Sequence, residues 1–180
     1  MPSIPLIRTI EKPGEQEYPP YASMYIDLLP DDGLLLQHLR ENLDVTCGLI
    51  RSLSEAQLSY RYAEKKWTIK EIISHIANDE RIYVYRALRF ARNDATELPG
   101  FEQDEYAEYS GANQRDITDL LNEFTAVRHA TIAFFESLDD AALLRTGMAD
   151  GKHVSVRALG YHIAGHELRH IQMIRERYLT

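Results

Sequence analysis

Near its end the 180-residue chain carries His166-Glu167-Leu168-Arg169-His170, which spells H-E-x-x-H. Residues four apart on a helix are separated by about 6 Å of rise and about 40° of rotation, so the two imidazoles project from one face and can share a metal ion. His162 continues the stripe and offers a second pair, His162/His166, beside His166/His170. One ion cannot hold all three, because the outer two lie about 12 Å apart along the axis. In zinc proteases the glutamate of this string is the general base. Such enzymes take a third ligand from beyond the motif. Here only Ile171 to Thr180 follow, and Glu176, the one carboxylate among them, lies on the same helix and another face. Glu167 is rotated about 100° from His166, toward a salt bridge or another subunit. The protease expansion is therefore rejected.

A third ligand must come from earlier in the chain. His75 lies among Ile72, Ile73 and Ile76, about two turns into a helix that starts at Thr68. A histidine among isoleucines is most often a hydrogen-bonded core residue. Facing a histidine pair, it becomes a ligand, and three neutral imidazoles with open positions describe a reactive metal site. Asp79 follows one turn later on the same face, either as a carboxylate that orients a ligand from behind or as a solvated helix charge. His38, His129 and His153 have no partner at ligand spacing and are read as surface or capping residues.

The elements that must position these groups are helices. Leu34, Leu35, Leu39, Leu43, Val45, Leu49, Ile50 and Leu53 predict a first helix over 33–53. Thr68 and Glu71 form a capping box that starts a second, running to about Asn93. Residues 94–111, with Pro99-Gly100, read as a long irregular crossover. Asp116 caps a third helix to about Leu138, a short helix covers 140–145, and Ser155 caps a fourth that continues almost to Thr180. No stretch shows sustained period-two alternation, and no Asn-Gly type hairpin turn is expected. The fold class is all-α: a four-helix bundle over 31–180, with the long crossover between helices 2 and 3. Residues 1–30 hold six of the seven prolines and read as an extended arm, whose Tyr18, Tyr21, Met24, Tyr25 and Ile26 pack across a dimer contact or, as is commoner, along the arm's own domain.

A net charge of -8 argues against a nucleic-acid surface. No apolar run has the length of a signal peptide or a membrane span, so the expectation is a soluble, cytoplasmic protein. Cys47, the one cysteine, falls among apolar helix positions and reads as a small core residue.

Several separate motifs resemble the DinB-like superfamily of four-helix bundles. They are Trp67-Thr68-Ile69-Lys70-Glu71 leading to His75, Asp79-Glu80-Arg81, and Tyr85-Arg86-Ala87-Leu88-Arg89-Phe90-Ala91-Arg92. Leu98-Pro99-Gly100-Phe101, and Val154-Ser155-Val156-Arg157-Ala158-Leu159 ahead of Ala164-Gly165-His166, complete the set. The likeness covers residue 33 to the end and leaves the arm outside its most characteristic part. It implies a divalent metal ion, zinc or nickel, held by one histidine of helix 2 and two of helix 4, which map to His75, His166 and His170. His162 is then the member left over.

The resemblance also implies a homodimer, and for some members an S-transferase acting with a low-molecular-weight thiol or a mycothiol-dependent isomerase; many members have no established activity. The expected function is therefore metal-dependent transfer involving a small-molecule thiol, with a hydrolase or a non-catalytic metal-binding bundle as alternatives. Arg81, Arg86 and Arg89 are candidates to hold an anionic cosubstrate, against the commoner explanation of exposed helix charge.

Overall fold

The computed structural model describes residues 8–179. In chain order the helices are α1 (Ser23–Ile26), α2 (Leu35–Arg51), α3 (Glu55–Leu58), α4 (Ile69–Ala91), α5 (Gln103–Glu108), α6 (Ile117–Glu136), α7 (Asp140–Leu144) and α8 (Val156–Arg177). The long ones, α2, α4, α6 and α8, are the four expected helices, and each begins and ends within a few residues of the expected bounds. Their starts follow from local chemistry. Thr68 Oγ1 accepts from the Glu71 amide at 3.1 Å while Glu71 Oε2 accepts from the Thr68 amide at 2.8 Å, closing the capping box. Asp116 accepts from the Thr118 amide and Ser155 from the Ala158 amide, so α6 and α8 are capped by the residues expected to do it.

Within the bundle α4 packs against both α6 and α8, and α2 packs against the same two helices from the other side. This arrangement brings the His75 face of α4 against the His166 face of α8. The apolar core is divided. One cluster gathers Leu35, Leu39, Phe90, Phe135, Leu159 and Ala164; the other gathers Ile50, Ile72, Ile73, Phe124, Ile171 and Ile174. Between them along α4 and α8 run buried polar residues: His75, Asp79 and Glu80 on α4, His162, His166 and Glu167 on α8. Buried polar groups require partners, so this layer is where the bundle's chemistry must be sought.

Three expectations need correction. A hairpin was not expected, yet β1 (Thr146–Ala149) pairs antiparallel with β2 (Lys152–Ser155), in register Thr146↔Ser155 to Ala149↔Lys152. Its turn is Asp150-Gly151, with φ of 53° and 66°, the left-handed pair that two-residue hairpins demand. Four-residue strands are too short to display alternation, but the Asp-Gly signal was present in the sequence. The crossover carries α5 and is tied back where the Leu98 amide donates to the Met148 carbonyl at 2.9 Å.

The arm, finally, is not simply extended. Glu15–Glu17 and Pro20–Ala22 form 3-10 turns, and α1 follows them. Ile10, Ala22, Ile26 and Leu29 are buried against the bundle, as an arm laid over its own domain requires. The Tyr161 hydroxyl donates to the Ile10 carbonyl at 2.8 Å, and Arg157 and Ser155 both donate to Glu17 at 2.8 Å. Residues 1–7 of the expected arm, and Thr180 at the end of the expected last helix, lie outside the described residues.

Candidate metal centre

Two turns into α4, His75 presents Nε2 to His166 Nε2 at 3.1 Å, and one turn along α8 His170 Nε2 stands 3.0 Å from the same atom. One nitrogen from each ring lies within 4.8 Å of the other two. Hydrogen bonding does not satisfy this arrangement. His166 Nε2 offers one lone pair or one proton, and two imidazole nitrogens address it at once. A tetrahedral ion at the usual zinc–nitrogen distance sets its ligand atoms about 3.3 Å apart, so the donor set fits a cation of that class.

Burial keeps these rings neutral, which is the state a metal requires. It takes His75 down to about 3, with His170 adding to the effect. His170 falls to about 4 through burial and the nearby Arg169. His166 drops well below the ordinary histidine range, by burial first and then by the charges of His170, His75 and His162.

Behind the triad, Asp79 is buried, not a solvated helix charge. Its Oδ2 lies 3.4 Å from His166 Nδ1 and has no hydrogen-bond partner among the described residues. Burial pushes this carboxyl up to about 7 despite the opposing charge of Arg86. An orphaned carboxylate oxygen beside Nδ1 of His166, the nitrogen facing away from the triad, is placed to orient that ring. His170 Nδ1 is also buried without a partner. His162 stays outside the triad. It stacks on Tyr83 at 4.1 Å between centroids, with Nε2 3.9 Å from Asp79 Oδ2, and burial holds it down to about 3.

On the open side, a cleft of about 650 Å³ reaches His170 and is lined by Tyr25, Tyr62, Trp67 and Met173 together with Arg61, Lys65 and Lys66. Trp67 stacks parallel to His170 at 6.4 Å and tilts against His75 at 4.7 Å. Tyr25, from α1, stands edge-on to His162 at 4.7 Å and to His166 at 5.4 Å. Burial, and then the charge of Asp79, raises the Tyr25 phenol above its usual range. The arginines considered for an anion are elsewhere. Arg81 pairs with Glu123 and Arg89 with Asp94, while Arg86 is buried and donates to the Pro99 carbonyl at 3.0 Å. None of the three lines the cleft beside His170.

Glu167 is buried and bound to Arg128 of α6, which also pairs with Glu80. Burial raises the Glu167 carboxyl. Burial also opposes the charge of Arg128, yet Glu167 and Glu80 hold the guanidinium above its ordinary range. Sequence reasoning missed Arg128, although a signal existed. It occupies the stripe Phe124, Arg128, Ile132, where helical spacing demands an inward-facing residue. Cys47 is buried as expected, and burial pushes its thiol up.

Fold and site together define a four-helix-bundle protein with a three-histidine centre open on one side. The family model described as the DinB superfamily matches residues 38–174, and the chain belongs to that superfamily. A protein of Oceanobacillus iheyensis named "Putative metal-dependent hydrolase" is 34% identical over 59 residues, covering 32% of this chain and 34% of the relative. The match thus spans about a third of that relative's length. Among solved structures, YfiT from Bacillus subtilis, called "a probable metal-dependent hydrolase with an unusual four-helix bundle topology", aligns with a TM-score of 0.69 at 18% identity, over 82% of this chain and 87% of that one. At that identity the likeness speaks for the fold.

Proposed function

We propose that this protein is a metal-dependent enzyme in which His75, His166 and His170 hold a divalent ion, zinc or nickel, and that it transfers groups to or from a low-molecular-weight thiol. The observation that carries the metal reading is the convergence of three Nε2 atoms on one point, which no hydrogen-bond pattern satisfies. An ion there would lower the pKa of a thiol or a water presented to it.

The choice of thiol over water rests on what the chain places around that point. A hydrolase cleaving an ester or amide gains from a side chain that carries the proton from water to the leaving atom. The buried carboxylates near the centre lie behind it or are hydrogen-bonded, while Asp104 and Glu108 of α5 line the cleft. Asp79 lies on the Nδ1 side of His166, Glu167 is bound by Arg128, and Glu71 accepts from the Thr68 amide, Arg61 and Asn113. A thiol held at such an ion would have its pKa lowered, so that its proton passes to solvent, and the thiolate can then displace a leaving group that departs as a stable anion without a protein acid. The cleft, at about 650 Å³, has the size of a small-molecule site. Cys47, buried on α2 away from the cleft, is not offered as the nucleophile, so the sulfur comes from the cosubstrate.

Elemental analysis of the purified protein, followed by a screen of the zinc- and nickel-loaded forms, tests this reading. The screen pairs bacillithiol, mycothiol and glutathione with model electrophiles, alongside ester and amide hydrolysis. Thiol-dependent turnover lost on metal removal is the expected result. The hydrolase reading, favoured by the names of the two relatives, gains if water alone supports metal-dependent cleavage. Metal-loaded protein inactive with every thiol sinks the transferase.

A further inference from the structure

The residues nearest the open side of the centre do not all come from the family-matched part of the chain. Tyr25 lies ahead of residues 38–174, on α1 of the N-terminal arm, and still lines the same cleft as His170. Its placement is fixed from several directions. Glu17 is clamped by Arg157 and Ser155, Ile10 by the Tyr161 hydroxyl, and Lys12 Nζ donates to the Leu29 carbonyl at 2.7 Å. Most telling is Gly165, inside α8 and directly before His166. A Cβ at this position would collide with the Tyr25 carbonyl. Glycine weakens a helix interior, so α8 gives up helix propensity at a point where the arm's backbone comes this close to it.

The phenol of Tyr25 is left free. The hydroxyls of Tyr161 and Tyr178 donate to the carbonyls of Ile10 and Trp67, and Tyr83 pairs with Tyr21. The Tyr25 hydroxyl has no such partner among the described residues, while its ring is held edge-on to His162 and His166. A fixed ring with an unused O–H at the edge of a cleft is a donor waiting for an acceptor.

We propose that the arm is a working wall of the centre and that Tyr25 contacts the cleft's ligand, donating a hydrogen bond to the sulfur or oxygen atom that the ligand brings toward the triad. This rests on the metal-centre reading above. The test uses the full-length, metal-loaded protein and its Tyr25→Phe variant, which keeps the ring and removes only the hydroxyl. Trp67, the single tryptophan, lies in the same cleft and reports occupancy by its fluorescence. Each protein is titrated with glutathione and with 2-mercaptoethanol, while metal content and thermal midpoint are measured in parallel.

The expected result is binding about 5- to 10-fold weaker in the variant, the effect of one lost hydrogen bond, with metal content and midpoint unchanged. Equal affinity in the two proteins overturns the proposal. So does a metal-loaded wild type that binds neither thiol, an outcome that leaves the metal reading standing. A wild type that takes up no metal overturns both readings together, and elemental analysis identifies that case.

Discussion

Glu167 accepts a hydrogen bond from Arg128 at 2.7 Å, and both side chains are 0% exposed. The glutamate of the H-E-x-x-H string therefore points into the bundle and away from the converging nitrogens of His166 and His170 on either side of it. Thr46 of α2 donates to its other oxygen at 2.6 Å, and Arg128 also donates to Glu80 and to the Leu39 carbonyl. Glu80 follows Asp79 and Glu167 follows His166, so one guanidinium on α6 fixes the registers of α4 and α8, on which the centre depends. A buried charge with several partners is costly to break because the survivors are left unpaired.

Arg128→Met should accordingly destabilise the protein by about 3–5 kcal/mol, because it strands Glu80 and Glu167. Urea denaturation of the two proteins measures this, and a loss under about 1 kcal/mol contradicts the account. Glu167→Gln separates the inward reading from the protease-like one. It should lower stability while leaving metal stoichiometry unchanged, whereas loss of metal would point to a direct role at the centre.

The triad makes a sharper demand. His75→Ala should abolish stoichiometric binding of zinc or nickel, while His162→Gln should keep it, since His162 stacks on Tyr83 outside the converging nitrogens. Elemental analysis after dialysis decides the matter. Retention by the first variant, or loss by the second, would redraw the ligand set.

Metal removal should be visible as lost stability. Free ion at 1,000 times its dissociation constant adds about 4 kcal/mol. For a domain of this size that corresponds to a rise of about 10 °C in Tm. Thermal scans with zinc and with excess chelator provide the comparison, and coincident transitions would mean that the folded state does not bind the ion preferentially.

Acid should weaken the metal-free protein from near pH 6.5 downward. Unfolded histidines take up protons through about that value. The folded His75 and His162 wait until about 3, His170 until about 4, and His166 also stays well below 6.5. The unfolded chain thus binds more protons in this window, and stability falls as pH drops. Asp79 works the other way. Raised to about 7 in the folded state, it takes up its proton there first and offsets one histidine. Denaturation midpoints at pH 7, 6, 5 and 4 should decline, with a shallower slope in His162→Gln. A flat profile in the wild type would be inconsistent with neutral buried imidazoles.

The sequence by itself determined the long helices and their caps, because periodicity, Thr68 with Glu71, Asp116 and Ser155 are local signals acting within a turn or two. It also supplied the His166/His170 spacing, which is a property of one helix. It could not choose between that pair and His162/His166 without the family resemblance, since both share a face. The Asp150-Gly151 turn is legible in the sequence, but its four-residue strands carry too little alternation to announce a hairpin.

Tertiary structure decided the rest. Whether His75 meets His166 depends on α4 packing directly against α8, a contact across 91 residues of chain that no local preference encodes. The same packing buried Asp79, turned Glu167 toward Arg128, and brought Tyr25 of the arm over Gly165 to the edge of the cleft. Local propensities act within a segment, whereas burial, orphaned polar atoms and converging side chains arise only when distant segments exclude water together.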